Sequence, residues 1–533
     1  MAMVKLYLNR SVSYKSKKTF SVIYHNLTGW YYPCKPDFWR YLQTFKGGRE
    51  LDEKAMTSAV AELVRNKFLI EKKTCPPGEY LGFYPIRVPA TVSYEKDDSI
   101  VVAVERKGAH GEIDFDVARL EGAAAMLWKN CTGRRSLREI FDETLIPEGD
   151  GLKILAVWTS LESQMIRLIS QPATEIKQPP QQLIYKAPFL PQKTAATPHA
   201  EDVHRYHLET IKDGTEQFDR IESTVSHLYR RPHPILDGRS YGQAFLASLR
   251  EEKEVEAGCT MLEVGGGMGS VSTDIMAGLK KEGTSVEYII YDLSPGLIQS
   301  QQKMHRQKGV QARHILGNGE FLALKDESVD IALSNEVVAD FNTPEVKTSA
   351  VQDYLFDHEI PMTKEFFNPY KDEDAQEYVR VNLGAFQLLK ELMRVLKPGG
   401  LAVVTEFGYQ DRLPFRASHL DHAEYSIQFS QMISVAAALG FNLYLTDAFD
   451  FLGFRSDVNL ITAFSYQAAY RIMEHLGVYL PNMTYTPEML KAELGSDYDG
   501  FRGLQFVGVN KDPFKVVKFL VCQKPDSIPQ DQA

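Results

Sequence analysis

The chain is poor in cysteine and has no long apolar run. Its five cysteines, among 533 residues, are scattered and form neither a zinc-binding spacing nor a disulfide framework. We expect reduced thiols packed as small apolar groups, and we predict no metal site. No stretch approaches the roughly 18 apolar residues that a membrane span requires, and the N-terminal residues lack the apolar core of a signal peptide. These absences predict a cytoplasmic protein with no membrane partner.

Positive charge is also in the minority. The formal net charge is -10 at pH 7, which argues against general affinity for nucleic acid and permits a basic or neutral partner. With 44% apolar and 24% charged residues, the composition is that of a globular protein. A chain of this length allows about two to four domains.

One glycine-rich stretch organises the chemistry of the chain. An apolar run ending near Glu263 is followed by glycines at 265, 266, 267 and 269 and then by apolar residues at helical spacing, which indicates strand, tight loop and helix. Glycines allow a sharp turn close to a ligand, and a helix N-terminus offers free amides. A second apolar strand ends at Asp292, roughly 20 residues later, where a nucleotide-binding unit places its ribose-binding carboxylate. The pattern predicts a nucleotide site.

The third glycine of a dinucleotide fingerprint is missing, because Ser270 stands in its place. The Glu-x-Gly-x-Gly-x-Gly pattern from Glu263 instead resembles motif I of class I S-adenosylmethionine-dependent methyltransferases. Three later segments resemble the same class: Gly317-Asn318-Gly319-Glu320, the strand ending at Ser334, and Leu396-Lys-Pro-Gly-Gly-Leu. The resemblance implies an α/β fold with a doubly wound, seven-stranded Rossmann-like domain, and S-adenosyl-L-methionine as its cofactor.

The resemblance also implies roles for the cofactor-binding residues. The glycine loop meets the methionine half of the cofactor, Asp292 accepts both ribose hydroxyls, and the side-chain oxygen of Asn318 accepts from the adenine amino group. Arg239 lies in a segment that often covers the cofactor and would pair with its carboxylate; a surface turn around Asp237 has equal weight. The other cofactor-binding candidates are Glu263, Gly265, Gly267, Gly269, Leu293, Gly319 and Ser334.

Three residues are candidates for catalysis. Methyl transfer from a sulfonium is an in-line displacement, so the protein mainly positions donor and acceptor and excludes water. Asn335 and Glu336 follow a central strand, at the edge where open α/β sheets place reacting ligands. A carboxylate there can hold a guanidinium or imidazole and take up the released proton. Glu336 is the first candidate and Glu406 the second; the alternative for Glu336 is a strand-end acid that caps the next helix.

Residues 1-82 and 83-170 are predicted to be two small winged-helix-like α+β domains that repeat one another. Tyr41–Leu51 aligns without a gap to Leu127–Leu137. Both units are similar to PqqD-like domains, which bind the leader peptide of a ribosomally made peptide as an added strand. Scaffolding or dimerisation is the alternative, so a homodimer is left open. Neither unit carries the dense basic face of a DNA-binding helix.

The rest of the chain is predicted to form a Pro-rich linker at 171-200 and a methyltransferase domain at 201-533, with a helical N-terminal extension. An insertion at 341-377, at the carboxyl edge of the sheet, is expected to shape the substrate site.

The methyltransferase part also resembles the MidA family, whose mitochondrial member methylates a protein arginine. The resemblance is carried by Asp292-Leu-Ser-Pro, Ser334-Asn335-Glu336 and Glu406-Phe-Gly-Tyr409, and it departs where Ala339 and Asp340 exchange the family's order. We therefore predict methylation of a side chain, on an arginine-like nitrogen, in a peptide or protein bound by the N-terminal domains. The alternatives are a small-molecule O- or N-methyltransferase and a cofactor-binding assembly factor of MidA type.

Overall fold

The chain forms two compact units, one built from Met1–Lys193, Ile461–Leu480 and Pro487–Phe506 and the other from Thr194–Leu460, Pro481–Thr486 and Val507–Ala533. The predicted domain at 201-533 is therefore interrupted, because two of its segments belong to the N-terminal unit. The computed structural model describes residues 3–16, 21–52, 56–88, 91–97, 99–107, 113–160, 163–175, 208, 228, 231–370, 376–419, 422–481 and 483–526. Most of the predicted linker, and the helices predicted before residue 231, lie outside these residues.

In its described residues, the first part of the N-terminal unit contains six strands and two α-helices. β1 pairs antiparallel with β5 and β6, and β2, β3 and β4 form an antiparallel meander. α2 is capped by the Thr57 side chain, which accepts from Val60 N. The elements are β1 (Met3–Leu8), β2 (Val12–Ser16), β3 (Ser21–His25), β4 (Tyr31–Cys34), α1 (Pro36–Gln43), β5 (Arg49–Asp52), α2 (Ser58–Arg65) and β6 (Leu69–Ile70).

The second part begins in the same order, with four strands and a helix, but two further helices then precede its last strand, and in the described residues no strand takes the place of β5. β7 pairs antiparallel with β11, and β8, β9 and β10 form a second meander. Ser136 and Glu139 form a capping box at the start of α4. The elements are β7 (Tyr84–Arg87), β8 (Ser93–Lys96), β9 (Ser99–Lys107), β10 (Ile113–Leu120), α3 (Gly122–Asn130), α4 (Leu137–Thr144), α5 (Glu148–Trp158) and β11 (Ile166–Ile169).

Equivalent backbone hydrogen bonds relate the two parts. Leu8 N donates to Phe45 O at 3.1 Å, and Arg87 N donates to Cys131 O at 3.2 Å. The alignment of 41–51 with 127–137 pairs Phe45 with Cys131, so the bonds fall at the same position of both copies. The shared order of elements and the shared register are what a duplicated unit would give.

The second unit is organised around an eight-stranded sheet. Its continuous order is β14-β13-β12-β15-β18-β26-β22, and the two-residue β21 pairs with the end of β18 as an eighth strand. The elements up to the sheet's centre are α6 (Tyr241–Glu252), β12 (Thr260–Val264), α7 (Ser270–Lys281), β13 (Glu287–Asp292), α8 (Pro295–Lys308), β14 (Arg313–Leu316) and β15 (Val329–Asn335). Seven strands were predicted, and the additional one is this short neighbour of β18.

The remaining elements of the chain follow in order. They are β16 (Glu345–Lys347), α9 (Val351–Asp357), β17 (Tyr378–Arg380), α10 (Leu383–Val395), β18 (Leu396–Tyr409), β19 (Arg416–His419), β20 (His422–Tyr425), β21 (Ile427–Gln428), α11 (Phe429–Leu439), β22 (Asn442–Asp447), α12 (Ala448–Phe451), β23 (Asn459–Ile461), α13 (Ala463–His475), α14 (Pro487–Leu494), β24 (Phe501–Arg502), β25 (Phe506–Gly508), α15 (Asp512–Lys515) and β26 (Val517–Gln523).

The strand directions locate the ligand-binding edge of the sheet. β14, β13, β12, β15 and β18 are parallel, and β26 runs antiparallel between β18 and β22. The chain moves outward from β12 through β13 to β14 and then returns to the other side of β12 as β15. In open α/β sheets the ligand binds outside the carboxyl ends of the strands at such a reversal. This edge carries the glycine loop and the ends of β13 and β15.

Successive residues of the central strands face two separate cores. Met261 and Val403 pack with α6 and α7, whereas Leu262 and Val404 pack with α10 and α11. The described part of the predicted insertion at 341-377 joins the second of these cores, with Phe366 fully buried against Phe386 of α10. The insertion therefore covers the α10 face of the sheet. In the part of the chain that the structure describes, no helix has the length and apolarity needed to cross a bilayer.

Candidate active site

The glycine loop after β12 is tight on one side and open on the other. Gly265, Gly267 and Gly269 have φ of +74°, +49° and +86°, which side chains rarely tolerate. A Cβ on Gly265 would lie 2.5 Å from Val337 Cγ2, and one on Gly266 would lie 2.9 Å from Gln301 Nε2. A Cβ on Gly267 would meet no atom within 4 Å. Gly267 thus borders open space, whereas Val337 and Gln301 pack closely against the loop at Gly265 and Gly266. A loop that binds a ligand requires this arrangement.

The helix that follows the loop can attract the anionic part of a ligand. Gly269 is the N-cap of α7 and has no side chain to accept from its first amides. The helix is 12 residues long, so its dipole adds a positive partial charge at this end.

Asp292 holds the loop in place. This carboxylate is 5% exposed. Its Oδ2 accepts from Gly266 N at 3.0 Å and Gln301 Nε2 at 2.8 Å, and its Oδ1 accepts from Ser294 N at 2.9 Å. A carboxylate has about four acceptor sites, so three protein donors leave about one for a ribose hydroxyl, fewer than the two expected. The sequence analysis did not identify Gln301, which also donates to Gly267 O at 2.9 Å.

Glu263 supports the loop from beneath it. Its side chain is 2% exposed, and its Oε2 accepts from the hydroxyl of Tyr288 at 3.2 Å. Burial raises the pKa of Glu263 to about 8, so the carboxyl is largely protonated at neutral pH. The alternation of side chains along β12 turns Glu263 towards α7, away from the open side of Gly267. Its contact with the cofactor stays a prediction, and its observed contacts support the strand beneath the loop.

The loop after β14 forms the second wall of the cradle. A Cβ on Gly319 would lie 2.5 Å from Val264 Cγ1, so only glycine fits against the end of β12. Asn318 Oδ1 accepts from Glu320 N at 2.9 Å, which fixes the side chain whose oxygen was predicted to face adenine. Leu293 is half-buried at the end of β13. Leu316 and Phe321, which the sequence analysis did not single out, are 57% and 59% exposed and offer apolar surface beside this loop.

The end of β15 turns abruptly at Glu336. Ser334 is 1% exposed, Asn335 ends the strand, and Glu336 has φ of +50°. A residue with a side chain costs about 1–2 kcal/mol in this left-handed region, and such strain concentrates at functional sites. Glu336 N donates to Thr405 O at 3.0 Å, which holds the turn against β18.

Asn335 and Glu406 lie on opposite faces of the sheet. Asn335 is paired with Thr405, and both side chains lie on the face of α6, where Thr405 Oγ1 donates to Asn335 Oδ1 at 3.1 Å. Glu406 is the next residue along β18, so its side chain points to the α10 face. The three predicted catalytic residues therefore do not converge, because β-strand alternation separates Asn335 from Glu406.

Glu406 is a buried acid among other acids. It is 3% exposed, and its two oxygens accept from Ala339 N at 3.0 Å and Phe407 N at 2.8 Å. Burial, followed by the charges of Glu424 and Glu336, raises its pKa well above the ordinary value. A carboxyl in this state either keeps a proton at neutral pH or needs a cation beside it. The α10 face thus presents an acidic site next to the glycine loop.

Arg239 precedes the helix that packs beside the loop. Asp237 and Gly238 do form a turn, with φ of +58° and +75°, and Arg239 Nε donates to Leu236 O at 3.0 Å. A Cβ on Gly242, in the first turn of α6, would lie 2.9 Å from Val271 O of α7. The turn therefore brings Arg239 to the start of α6, where α6 meets the start of α7.

Comparison with known proteins gives one family match and several similar solved structures. A family model described as a methyltransferase domain matches residues 255–438. No match is found among curated proteins. Among solved structures, the chain is similar to an uncharacterised protein of Burkholderia thailandensis at 12% identity and a TM-score of 0.38, over 62% of this chain and 89% of that one.

A second similar structure is the [4+2]-cyclase SpnF, at 13% identity and a TM-score of 0.29, over 54% of this chain and 81% of that one. The family match covers the whole span that holds the glycine loop, Asp292, Asn318 and Glu406. The mixed α/β sheet, its reversal between β12 and β15 and the open cradle at Gly267 agree with that match. The protein is an S-adenosylmethionine-dependent methyltransferase with a Rossmann-like class I methyltransferase domain.

Proposed function

We propose that this enzyme methylates a nitrogen of a cationic, arginine-like side chain in a ribosomally made peptide or a protein. One observation carries the proposal: Glu406 is buried beside the charges of Glu336 and Glu424 at the carboxyl edge of the sheet. A guanidinium would compensate the buried carboxylate of Glu406 in these acidic surroundings, and guanidinium groups bind carboxylates in bidentate fashion. The resemblance to MidA-type sequences points to the same acceptor.

The acidic site also suits the chemistry of N-methylation. When bound, S-adenosylmethionine supplies an electrophilic methyl carbon attached to a sulfonium. The acceptor nitrogen forms the new C–N bond with its lone pair as the C–S bond breaks, and the nitrogen then loses one proton. In this proposal Glu336 orients the acceptor, and Glu406, which the bound guanidinium would hold in its ionised form, takes up the released proton. The described insertion covers this face and would exclude water.

The N-terminal unit provides a site for the peptide that carries the acceptor. A pocket of about 590 Å³ lies between β4 and α2 and is lined by Tyr32, Pro33, Cys34, Lys35, Asp37, Phe38, Ala59, Glu62 and Leu63. In the described residues β4 has a sheet neighbour only on the β3 side. A peptide strand along its other edge would gain main-chain hydrogen bonds and place side chains in the pocket. This is the mode implied by the PqqD-like resemblance.

In the second copy the chain itself covers a different edge of the meander, that of β8, which is the counterpart of β2 and not of β4. β24 pairs antiparallel with β8, with Phe501 opposite Tyr94, so the chain itself extends this meander. Lys96 Nζ forms an ion pair with Asp497 at 2.6 Å, which anchors the added segment. Helix α13 packs on the same meander through the edge-to-face contact of Phe464 and Phe115. Because β24 and α13 pack on the second meander and the pocket lies beside β4, we assign the peptide to the first copy, and a scaffolding role to the second.

Mass spectrometry of co-expressed candidate peptides tests the proposed acceptor. The full-length protein is expressed with short reading frames found beside its gene, and each peptide is fragmented to locate an added methyl group. A methyl group on an arginine nitrogen is the expected result. A methyl group on a backbone or oxygen atom would overturn the nitrogen assignment. Methylation of small metabolites alone, or no methylation of any peptide, would support the two alternative functions instead.

The pocket has its own test and its own control. Ala59 is exposed at the start of α2 and lines the pocket, so Ala59→Arg fills it without disturbing the core. We expect this variant to lose peptide binding at least about tenfold while its affinity for S-adenosylhomocysteine stays unchanged. Ser58→Arg adds the same side chain at the neighbouring exposed position, which does not line the pocket. Equal peptide affinity in the two variants would exclude the β4 edge as the binding site.

A further inference from the structure

Charge is distributed unequally between the two copies in the N-terminal unit. Residues 1-82 contain 14 lysines and arginines but seven aspartates and glutamates, a formal net charge of +7. Residues 83-170 contain 11 and 14 of these groups, a net charge of -3, and the whole chain carries -10. The two copies begin with the same order of elements, so their shared fold does not require this difference. A net charge of one sign on a domain instead influences which partners it attracts.

Two of these cations lie beside β4, whose outer edge carries the proposed peptide site. Lys35 follows the strand directly, is exposed and lines the pocket. Arg65 is the exposed last residue of α2. Its neighbours Glu62 and Asn66 on that helix both hydrogen-bond the Tyr32 hydroxyl, at 2.9 Å and 2.6 Å, so Arg65 lies on the pocket side of the strand. Neither cation forms an ion pair with a residue that the structure describes.

A third cation, Arg167 of β11, lies at the start of β4. Its guanidinium carbon is 4.7 Å from the centre of the Tyr31 ring and 5.8 Å from that of the Trp30 ring. The residue is 3% exposed, and its Nη2 donates to no acceptor in the described part of the chain. A buried cation without a carboxylate is costly, so a negative charge nearby would be favourable. Arg167 and Lys35 therefore place positive charge at both ends of β4.

The two acids that line the pocket already have partners. Asp37 pairs with Arg40 at 3.2 Å, and Glu62 accepts from the Tyr32 hydroxyl at 2.9 Å. An incoming carboxylate would thus meet cations that have no carboxylate of their own. The charged groups named around β4 are two acids and four cations, and the cations are Lys35, Arg40, Arg65 and Arg167.

We propose that the peptide segment bound along β4 is acidic, with carboxylates that reach Lys35 and Arg65. This inference rests on the peptide site proposed above and adds the charge of its ligand. The substrate would then carry an acidic segment for the first copy and a cationic side chain for the acidic acceptor site. Because like charges repel, the acceptor site would reject the acidic segment. The other 451 residues of the chain carry a net charge of -17, which disfavours an extended polyanion such as nucleic acid.

Two short peptides of equal length test the charge of the bound segment. Each carries a fluorescent label and has about nine residues, so that it can add as one strand. Valine alternates with glutamate in the first peptide and with glutamine in the second. In about 50 mM NaCl, fluorescence anisotropy should show that the full-length protein binds the glutamate peptide at least about tenfold more tightly. In about 500 mM NaCl the difference should fall below about threefold, because salt screens exposed charges.

Removing the two unpaired cations should remove the preference. Lys35→Gln combined with Arg65→Gln should weaken binding of the glutamate peptide about tenfold and change that of the glutamine peptide less than about twofold. The matched control is Arg10→Gln combined with Lys15→Gln, which removes one lysine and one arginine at the other edge of the meander. Arg10 precedes β2, Lys15 lies on it, and both are exposed. This control should bind both peptides within about twofold of the wild type.

Several results would contradict the proposal in distinguishable ways. Equal affinity for the two peptides would leave the peptide site in place and remove its preference for acid. Equal losses in the two double variants would assign the attraction to the net charge of the copy and not to β4. Tighter binding of an oligothymidine of the same length, lost in the Lys35 and Arg65 variant, would make this edge a nucleic-acid site. If neither peptide binds, the peptide site of the proposed function fails, and this proposal fails with it.

Discussion

Asp292 and Glu406 lie towards the carboxyl ends of β13 and β18, on opposite sides of the point where the strand order reverses. Asp292 accepts from three protein donors at 2.8–3.0 Å. Glu406 accepts from two backbone amides, but burial and two neighbouring acids raise its pKa well above the ordinary value. The first acid is completed by the protein and makes the cofactor loop rigid. The second lies among other acids, where a proton or a cation would complete it, as the proposed acceptor site requires.

The largest effect should follow from removing the charge of Glu406. Glu406→Gln keeps the volume and an oxygen acceptor but cannot take up a proton. We expect turnover to fall about 100- to 10,000-fold, the range typical of a lost general base, with unchanged affinity for S-adenosylhomocysteine. Single-turnover kinetics and calorimetry measure the two quantities separately. Full activity in this variant would show that Glu406 takes no part in catalysis, and Glu406 would then no longer differ from Asp292 in its role.

A third buried acid, Glu263, should make the free energy of unfolding depend on pH. Its pKa is raised to about 8 in the folded protein from an ordinary value of 4.5, so above pH 4.5 the unfolded chain loses the proton that the folded protein keeps. Stability should therefore fall as pH rises from about 5 to 8, by at most about 1.4 kcal/mol per pH unit. Glu263→Gln removes this contribution, so its free energy of unfolding should decline less over the same range. Parallel pH dependences in urea unfolding would show that Glu263 is not protonated in the native state.

Removing the charge of Asp292 should weaken ligand binding through the glycine loop and should not affect the methyl-transfer step. Asp292→Asn keeps one oxygen acceptor but places an amide nitrogen where Oδ2 lies. Gly266 N and Gln301 Nε2, which donate to Oδ2, then lose their acceptor. We expect a loss of about 2 kcal/mol in binding, roughly 30-fold, for S-adenosylhomocysteine and 5'-methylthioadenosine alike, because the loop serves both ligands.

Asp330→Asn is the control for this comparison. Asp330 also ties a backbone amide of the sheet, accepting from Thr260 N at 2.8 Å and from Lys397 Nζ at 2.7 Å, but at the amino end of the strands. Its loss should lower stability and leave both binding constants unchanged. Weaker ligand binding in this control would mean that any damage to the sheet affects the site.

The sequence was sufficient to place the glycine loop, Asp292 and the end of β15 at one edge, because strand, glycine and helix patterns are local. The separation of Asn335 from Glu406 was not predictable. The register of β15 with β18 shifts after Val329, which pairs with Leu396, to Ile331, which pairs with Leu401. The irregular segment at 397–400 therefore decides whether Thr405 or Glu406 faces α6. The alternation of apolar and polar residues along a strand does not show how many residues a bulge contains.

The interruption of the methyltransferase domain was missed for a related reason. The sequence of α13 predicts an amphipathic helix, but an apolar face does not say which surface it covers. In the structure α13 packs on β9 and β10, and Phe464 meets Phe115, some 350 positions earlier in the chain. Any deletion of the N-terminal residues would therefore expose the buried face of α13, so point variants such as Ala59→Arg are the better probes of the N-terminal unit.

The smallest effects should come from alanine substitutions on the two sides of the glycine loop, one of which should mainly lower stability and the other mainly cofactor affinity. Gly265→Ala and Gly267→Ala both place a side chain at positive φ, at a cost of about 1 kcal/mol each, but only the first also meets Val337 at 2.5 Å. Thermal unfolding should show the larger loss for Gly265→Ala, whereas Gly267→Ala, whose methyl group enters the open cradle, should show the larger loss of cofactor affinity. Gly258→Ala has φ of +86° and no neighbour within 4 Å at the other end of β12, so it should lose stability alone. If Gly267→Ala binds S-adenosylhomocysteine as well as Gly258→Ala does, the cofactor does not lie on the open side of the loop. The contrast between Asp292 beside the cofactor and Glu406 beside the acceptor would then lose its structural basis.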